Sequence, residues 1–486
     1  MRPWLKALLV PSAIAAFLAP TLAFGQFQPG EIAIKVPQEE AVARKVMASP
    51  ELKKALDYIN ASDEETVREW TSICNAHGPS GDEIFRARHL WKLMRIYGLE
   101  NVHIDDQRNV VGVRRGTGGG PTVVLNAHFD NNSMGWPKEQ PVEAFVADGR
   151  MWCPAAGDDL TGVTQVLTIL RAMNAGKIAT KGDVWFAFFT GEEPLKDNAS
   201  NGAGLFVSSN YPQNFDWKKG DIMVQLHGGG GAGISTGSVE VRHRSQLRIF
   251  VPIDKSEWGR HTVDALGPII DRISKEVRDD RASNSDRTSA GRPKDLVMMN
   301  MAQISAGETL NQTATEASIR FNLHALTEAD LWRVHNKIQA IAKEECAKAG
   351  CTVHYTINSK NGLEGGLPGF DAVNNAPAKM AVAASNVLYG NVGAVNPIGG
   401  CGDCARAYRN GMPAFSLRGN VVDYGDGRFD IKNEHGGLVS DVRRKTRNHD
   451  PTGSAPVDGL WAAAKHGLLF AVSYAGFDGP ERAPAK

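Results

Sequence analysis

The spacing of apolar residues changes character along this chain, and those changes limit the fold more than any other feature. Over residues 38–97 apolar positions recur at three- and four-residue steps, as in Glu51-Leu-Lys-Lys-Ala-Leu-Asp-Tyr-Ile59 and Asp82-Glu-Ile-Phe-Arg-Ala-Arg-His-Leu-Trp-Lys-Leu-Met94, which predicts helices. Strands at 102–104, 109–113, 122–125 and 184–189 then accompany a helix at 160–175, the pattern of an α/β layered domain. Between Gly237 and about Asn358 the order becomes β-α-β-β-α-β: strand 246–253, helix 262–277, strands 297–304 and 317–324, helix 328–348 with Thr327 as its N-cap, and strand 352–357. That split βαβ order folds as an independent four-stranded unit with both helices on one face. The α/β pattern returns with helix 376–389, strand 413–417 and a closing helix at 455–473. The expected architecture is a layered α/β domain with a mixed central sheet, residues 26–238 and 359–486, interrupted by an inserted α+β domain, residues 239–358, in which 279–294 form a surface loop.

A length of 486 residues agrees with two domains, since single cores stop growing near roughly 250–300 residues. The 54 basic and 54 acidic residues balance, with no long run of one sign, which argues against nucleic acid or an anionic membrane as a partner. A small or neutral substrate fits better. Arg2 and Lys6 precede an apolar stretch over residues 7–22, interrupted by Pro11 and Pro20, and Ala23-Phe24-Gly25 follows. This reads as a cleaved secretory signal, residues 1–25, with a membrane anchor as the competing reading, and it implies a periplasmic or secreted protein. Export permits disulfides among the six cysteines. Cys346 lies near Cys351 and Cys401 near Cys404, while Cys74 and Cys153 are left for each other or free; spacing does not decide the pairing.

Three polar clusters carry the chemistry. His128-Phe129-Asp130 and Gly191-Glu192-Glu193 each follow an apolar strand, and Gly157-Asp158-Asp159 lies between them. Open α/β sheets place ligands at such strand ends. Dications such as zinc accept imidazole and carboxylate ligands, and a pair about 3.5–4 Å apart needs one carboxylate that reaches both, a part suited to Asp158. Glu192, beside the water between the metals, can take a proton and later return it to a leaving amine. Taken singly, His-x-Asp is more often a hydrogen-bonded pair and Glu-Glu a solvated loop; their combination points to metal-dependent hydrolysis.

With these motifs the chain resembles the M20 family of co-catalytic zinc peptidases and amidohydrolases, the group containing peptidase T and glutamate carboxypeptidase. The resemblance rests on Leu125-Asn-Ala-His-Phe-Asp130, Gly157-Asp-Asp-Leu-Thr-Gly162, Thr190-Gly-Glu-Glu193, the inserted lid, Gly399-Gly-Cys-Gly-Asp-Cys-Ala405 and Asn433-Glu-His-Gly436. It implies two divalent metal ions, zinc first and manganese or cobalt as alternatives. One would be held by His128 and Asp158, the other by Asp158, Glu193 and His435, with His449 competing for the last place; Asp130 would orient His128 and Glu192 would be the general base. The family's fifth ligand is Asp or Glu where this chain has His227. As an imidazole ligand His227 would remove a negative charge, leaving the centre more electrophilic and the cation less tightly bound; alternatively it does not ligate. In the lid, the resemblance matches His261 to an oxyanion-contacting histidine and Asn311 and Arg320 to substrate contacts, and it implies a homodimer through the lid. The expected function is an exported di-metal hydrolase of short peptides or N-acyl amino acids. The rivals are a catalytically lapsed peptide-binding protein, suggested by His227, and a thiol enzyme using Cys401 or Cys404.

Overall fold

The computed structural model describes residues 34–131, 143–193, 202–208, 217–227, 231–235, 241–252, 262–277, 297–307, 314–325, 328–357, 375–390, 395–396, 402–423, 429–431, 453–457 and 460–481. The chain divides into two compact units, one drawn from Met1–Thr236 and Leu367–Lys486 and the other from Gly237–Gly366. No described helix is long and apolar enough to cross a membrane.

The first unit opens with helices Pro37–Met47, Pro50–Ala61, Asp63–Asn75 and Ile84–Ile96. Ser49 starts the second by accepting a hydrogen bond from the Leu52 amide at 3.2 Å. A mixed sheet of nine strands follows, ordered Glu100–Ile104, Val110–Arg114, Val184–Phe189, Val123–His128, Ile222–Leu226, Ala414–Asp423, Gly231–Ser235 and Val395–Asn396, with Phe429–Ile431 added to Ala414–Asp423. Its centre is parallel: Val184–Phe189, Val123–His128, Ile222–Leu226 and Ala414–Asp423 run in the same direction. Such strands are covered on both faces and therefore need apolar residues at nearly every position. Alternation along them feeds two separate cores. Leu125, Ala127, Phe186 and Phe188 face one, with the helices Thr161–Gly176 and Leu460–Ala475, while Val124, Trp185, Ala187 and Phe189 face the other. Full burial of each phenylalanine is worth roughly 1.5–3 kcal/mol.

The closing helix starts later than residue 455. Ser454–Pro456 is an edge strand antiparallel to Arg150–Trp152, and the helix begins at Leu460. Pro456 has no N–H for a helix interior but is tolerated at a sheet edge, and Arg150 secures this strand through the Ser454 hydroxyl at 3.0 Å and carbonyl at 2.9 Å. The strand Gly231–Ser235 carries no apolar alternation to announce it; it forms between neighbours that supply both edges.

The second unit is a four-stranded antiparallel sheet ordered Met298–Ala306, Glu316–Ala325, Val241–Phe250 and Thr352–Ile357. Its helices are Thr262–Arg272, continued by a π-helical turn Ile273–Val277, and Glu328–Ala349. Leu247, Ile249, Ile319 and Phe321 meet Ile269, Val334, Ile338 and Ile341 in its core. Thr327 and residues 279–294 lie outside the described residues. Disulfides join Cys74 to Cys153 and Cys346 to Cys351. Cys404 is also disulfide-bonded, and Cys401 lies outside the described residues.

Candidate metal centre

Three parallel strands end side by side. Val184–Phe189, Val123–His128 and Ile222–Leu226 are adjacent in the sheet, so the segments that leave them bring Glu192 and Glu193, His128 with Asp130, and His227 to one edge. Asp158 arrives from the turn Ala156–Leu160, which precedes the helix Thr161–Gly176. Gly162 lets that helix approach: a Cβ there would lie 2.1 Å from the carbonyl oxygen of Leu226 and 2.5 Å from either carboxylate oxygen of Asp159. The Gly162 amide instead donates to Asp159 Oδ1 at 3.1 Å.

The result is a compact donor set. Asp158 Oδ1 lies 3.0 Å from His128 Nε2 and 3.0 Å from His227 Nε2. One ligand atom from each of the three residues lies within 4.8 Å of the other two. Two imidazoles and a carboxylate form a set that suits zinc and neighbouring dications. The second nitrogen of His128 is already committed: Nδ1 pairs with Asp130 Oδ1 at 3.2 Å, the carboxylate–histidine arrangement that directs the other nitrogen toward a metal. Burial alone would lower the His128 pKa, yet the carboxylates of Glu192, Asp130 and Asp158 hold it well above the usual histidine range. Burial also opposes the charge of Asp158, and His227 and His128 hold its carboxyl well below the usual range. The pocket favours positive charge, which a dication would supply in place of imidazole protons.

Asp130 organises the surroundings. Its Oδ2 accepts from the Ser80 hydroxyl at 2.6 Å and the Glu193 amide at 3.0 Å, and its Oδ1 from the Glu192 amide at 3.3 Å. Burial opposes its charge, but His128, Ser80 and the Glu193 amide hold it below the usual carboxylate range. Behind it, the buried Arg86 donates to the carbonyls of Phe129 at 2.6 Å, Ala76 at 2.9 Å, and Gly78 and Ile73 at 3.2 Å, which secures the backbone between His128 and Asp130. The Glu192 carboxylate stands 3.9 Å from His128 Nε2, with its side chain 15% exposed. Glu193 is buried beside it. From the helix Gly402–Arg409, Arg406 donates to the Glu192 carbonyl at 3.1 Å and to Asp403 Oδ1 at 3.1 Å, while Gln225 donates to Asp403 Oδ2 at 3.2 Å. Burial, with Arg406 opposing, pushes the Asp403 carboxyl up to about 7.

Of the expected ligands, His128, Asp158 and His227 come together, while Glu193 lies outside their cluster among the described residues. His435, His449, His261 and Asn311 lie outside the described residues. Arg320 belongs to the second unit, half-buried on Glu316–Ala325 opposite Gln246 and Gln303. Cys404, held in a disulfide, is no free thiol nucleophile. Ser80, Arg86 and Arg406 carried no signal of spacing, and Asp403 stood in the sequence only as part of the Gly399–Ala405 motif, without a role. They act through backbone carbonyls and carboxylates that only folding brings near.

The model of Peptidase family M20/M25/M40 matches residues 124–436. A cysteinylglycine-S-conjugate dipeptidase from Corynebacterium striatum is 28% identical over 177 residues, covering 34% of this chain and 37% of that protein, so this chain matches little more than a third of its curated relative's length. Among solved structures, the di-peptidase Dug1p from Saccharomyces cerevisiae aligns with a TM-score of 0.62 at 10% identity, over 87% of this chain and 98% of that one. A tripeptidase from Staphylococcus aureus aligns at 0.57 and 14% identity, over 85% and 98%. A dinuclear metal-binding peptidase of the M20 family from Bacillus subtilis aligns at 0.52 and 14% identity, over 85% and 98%. At such identities these structures speak for the fold. The family match covers more than half of the sequence and spans every residue of the donor set, and by it the chain belongs to peptidase family M20/M25/M40.

Proposed function

We propose that the protein is an exported di-metal hydrolase that cleaves the amide bond of dipeptides or closely related N-acyl amino acids. The observation that carries this reading is the convergence of His128, Asp158 and His227 donor atoms within 4.8 Å, with the Glu192 carboxylate 3.9 Å from His128 Nε2. His227, whose imidazole suggested a lapsed binder, stands as near to Asp158 as His128 does, which supports a ligand's part for it. A first cation would be held by His128, Asp158 and His227, and a second by Asp158, Glu193 and His435. Bound dications supply Lewis-acid polarisation of the scissile carbonyl and bring the pKa of water toward roughly 7.

The chain's own residues do the rest. Asp130 keeps His128 in one tautomer by accepting from Nδ1 and fixes the Glu192 and Glu193 amides through its two oxygens. Glu192 accepts the proton of the attacking water and delivers it to the departing amine, a service worth roughly 10²–10⁴-fold in rate. The relative named as a cysteinylglycine-S-conjugate dipeptidase supports the choice of dipeptides within the family's peptidase chemistry. Export rests on the segment at residues 1–25, and a mature N-terminus at Gln26 is its expected mass-spectrometric signature. Assembly as a homodimer through the second unit completes the proposal, and analytical ultracentrifugation measures it.

The deciding experiment is Glu192→Gln, assayed with dipeptides blocked at either terminus and with N-acyl amino acids. Metal content should match wild type while turnover falls at least about 10²-fold. A glutamine variant that hydrolyses at the wild-type rate removes Glu192 from the chemistry.

A further inference from the structure

We propose that Arg406 is a positioning residue for the general base: it grips the Glu192-Glu193 peptide from the side opposite Asp130 and so keeps the Glu192 carboxylate turned toward His128. This rests on the hydrolase reading above. Two consecutive glutamates with different tasks must present their side chains in different directions, and they follow Gly191, whose φ of 62° lies in the left-handed region. A segment of this kind leaves the peptide plane free to rotate unless both ends are held.

Both ends are held here. In a trans peptide the carbonyl and the N–H point in opposite directions. The carbonyl of Glu192 accepts from Arg406 Nη2 at 3.1 Å, and the N–H of Glu193 donates to Asp130 Oδ2 at 3.0 Å. Arg406 is itself fixed by Asp403, at 3.1 Å, and the other oxygen of Asp403 is taken by Gln225 at 3.2 Å. Gln225 lies two residues before His227, so the same chain of bonds ties the base to the strand that delivers a member of the donor set. The planar guanidinium can serve Asp403 and the carbonyl together through different nitrogens, which a lysine ammonium cannot match in geometry. Through these bonds Arg406 meets the backbone of the base and the Asp403 carboxylate. Its effect passes through the orientation of Glu192, and a displacement near 1 Å can cost on the order of 10² in rate.

The test uses metal-loaded full-length protein, with Arg406→Met combined with Asp403→Asn so that no unpaired buried carboxylate remains. Metal stoichiometry, kcat and KM for a cleaved dipeptide are measured together, beside Arg406→Lys and Glu192→Gln. The expected result is an unchanged metal content, a KM within about threefold and a kcat reduced about 10- to 100-fold, with Arg406→Lys intermediate. A kcat within twofold of wild type overturns the proposal, as does a loss of metal in step with kcat, which would make Arg406 a support of the ligands. If the double variant does not fold, Arg406→Lys decides: a loss of about three- to tenfold in kcat upholds the two-pronged grip, and an unchanged kcat overturns it. An inert wild type, or a Glu192→Gln variant that turns over, overturns the hydrolase reading and this one with it. An active wild type and a dead Glu192→Gln beside a fully active double variant overturn this one alone.

Discussion

Gly162→Ala tests whether the donor set depends on the close approach of a helix to a strand end. The added Cβ would lie 2.1 Å from the Leu226 carbonyl oxygen, where real Cβ contacts essentially never fall below 3.0 Å, so something must move by at least 3.0 − 2.1 = 0.9 Å. Leu226 cannot yield easily, because its strand is bonded to Val123–His128 on one side and Ala414–Asp423 on the other. The alternative is to push away the start of the helix, which carries Asp158 four residues upstream. Either movement disturbs the 3.0 Å contact between Asp158 and His227. Overpacking of this kind costs about 1–3 kcal/mol, a fall in Tm of roughly 1–4 °C for a unit of this size. Displaced ligands should weaken metal binding roughly 10- to 100-fold, the range seen when the support of a metal ligand is removed. A chelator-competition titration and a thermal melt measure both. If the alanine variant binds zinc with wild-type affinity and melts within about 1 °C of wild type, the reasoning about Gly162 is wrong.

Two further outcomes concern stability. His466 is fully buried, its Nε2 bonded to the Ala381 carbonyl at 2.7 Å, and burial pushes its pKa down to about 4. The unfolded chain takes up a proton below about 6.5 and the folded one does not until about pH 4, so stability is complete above pH 6.5 and falls by roughly 3 kcal/mol on acidification across that window. His466→Leu should remove this part of the pH dependence in denaturant titrations, and identical slopes for both proteins would refute the assignment. Arg86→Met leaves the carbonyls of Ile73, Ala76, Gly78 and Phe129 without their guanidinium donor and should lower stability by about 3–5 kcal/mol, read as a reduced denaturation midpoint; a midpoint equal to wild type would show that water replaces those bonds.

Local pattern was enough to read much of the fold. The all-apolar run Val184-Trp-Phe-Ala-Phe-Phe189 can be buried on both faces only in the middle of a sheet, and the β-α-β-β-α-β order of the inserted unit has few ways to close. Pattern failed where a neighbour, not the segment, decides the structure. Ser454–Pro456 is a strand because Arg150–Trp152 offers an edge and Arg150 a pair of donors, and Gly231–Ser235 is one because strands flank it.

The candidate site divides in the same way. Residue chemistry, which is local and needs no coordinates, was sufficient to nominate His128, Asp130, Asp158 and Glu192, because their clusters occur together at the ends of apolar strands, and the resemblance to the M20 family added His227. Which of them meet was settled by strand order: Val184–Phe189, Val123–His128 and Ile222–Leu226 are neighbours in space although the chain makes them in a different sequence. Only that packing gave Asp130 its four hydrogen-bond donors, set Arg86 behind Phe129 and brought Arg406 to the Glu192 carbonyl. Hydrogen bonds act over about 3 Å, and the one-dimensional chain holds no record of which distant groups will come within that reach.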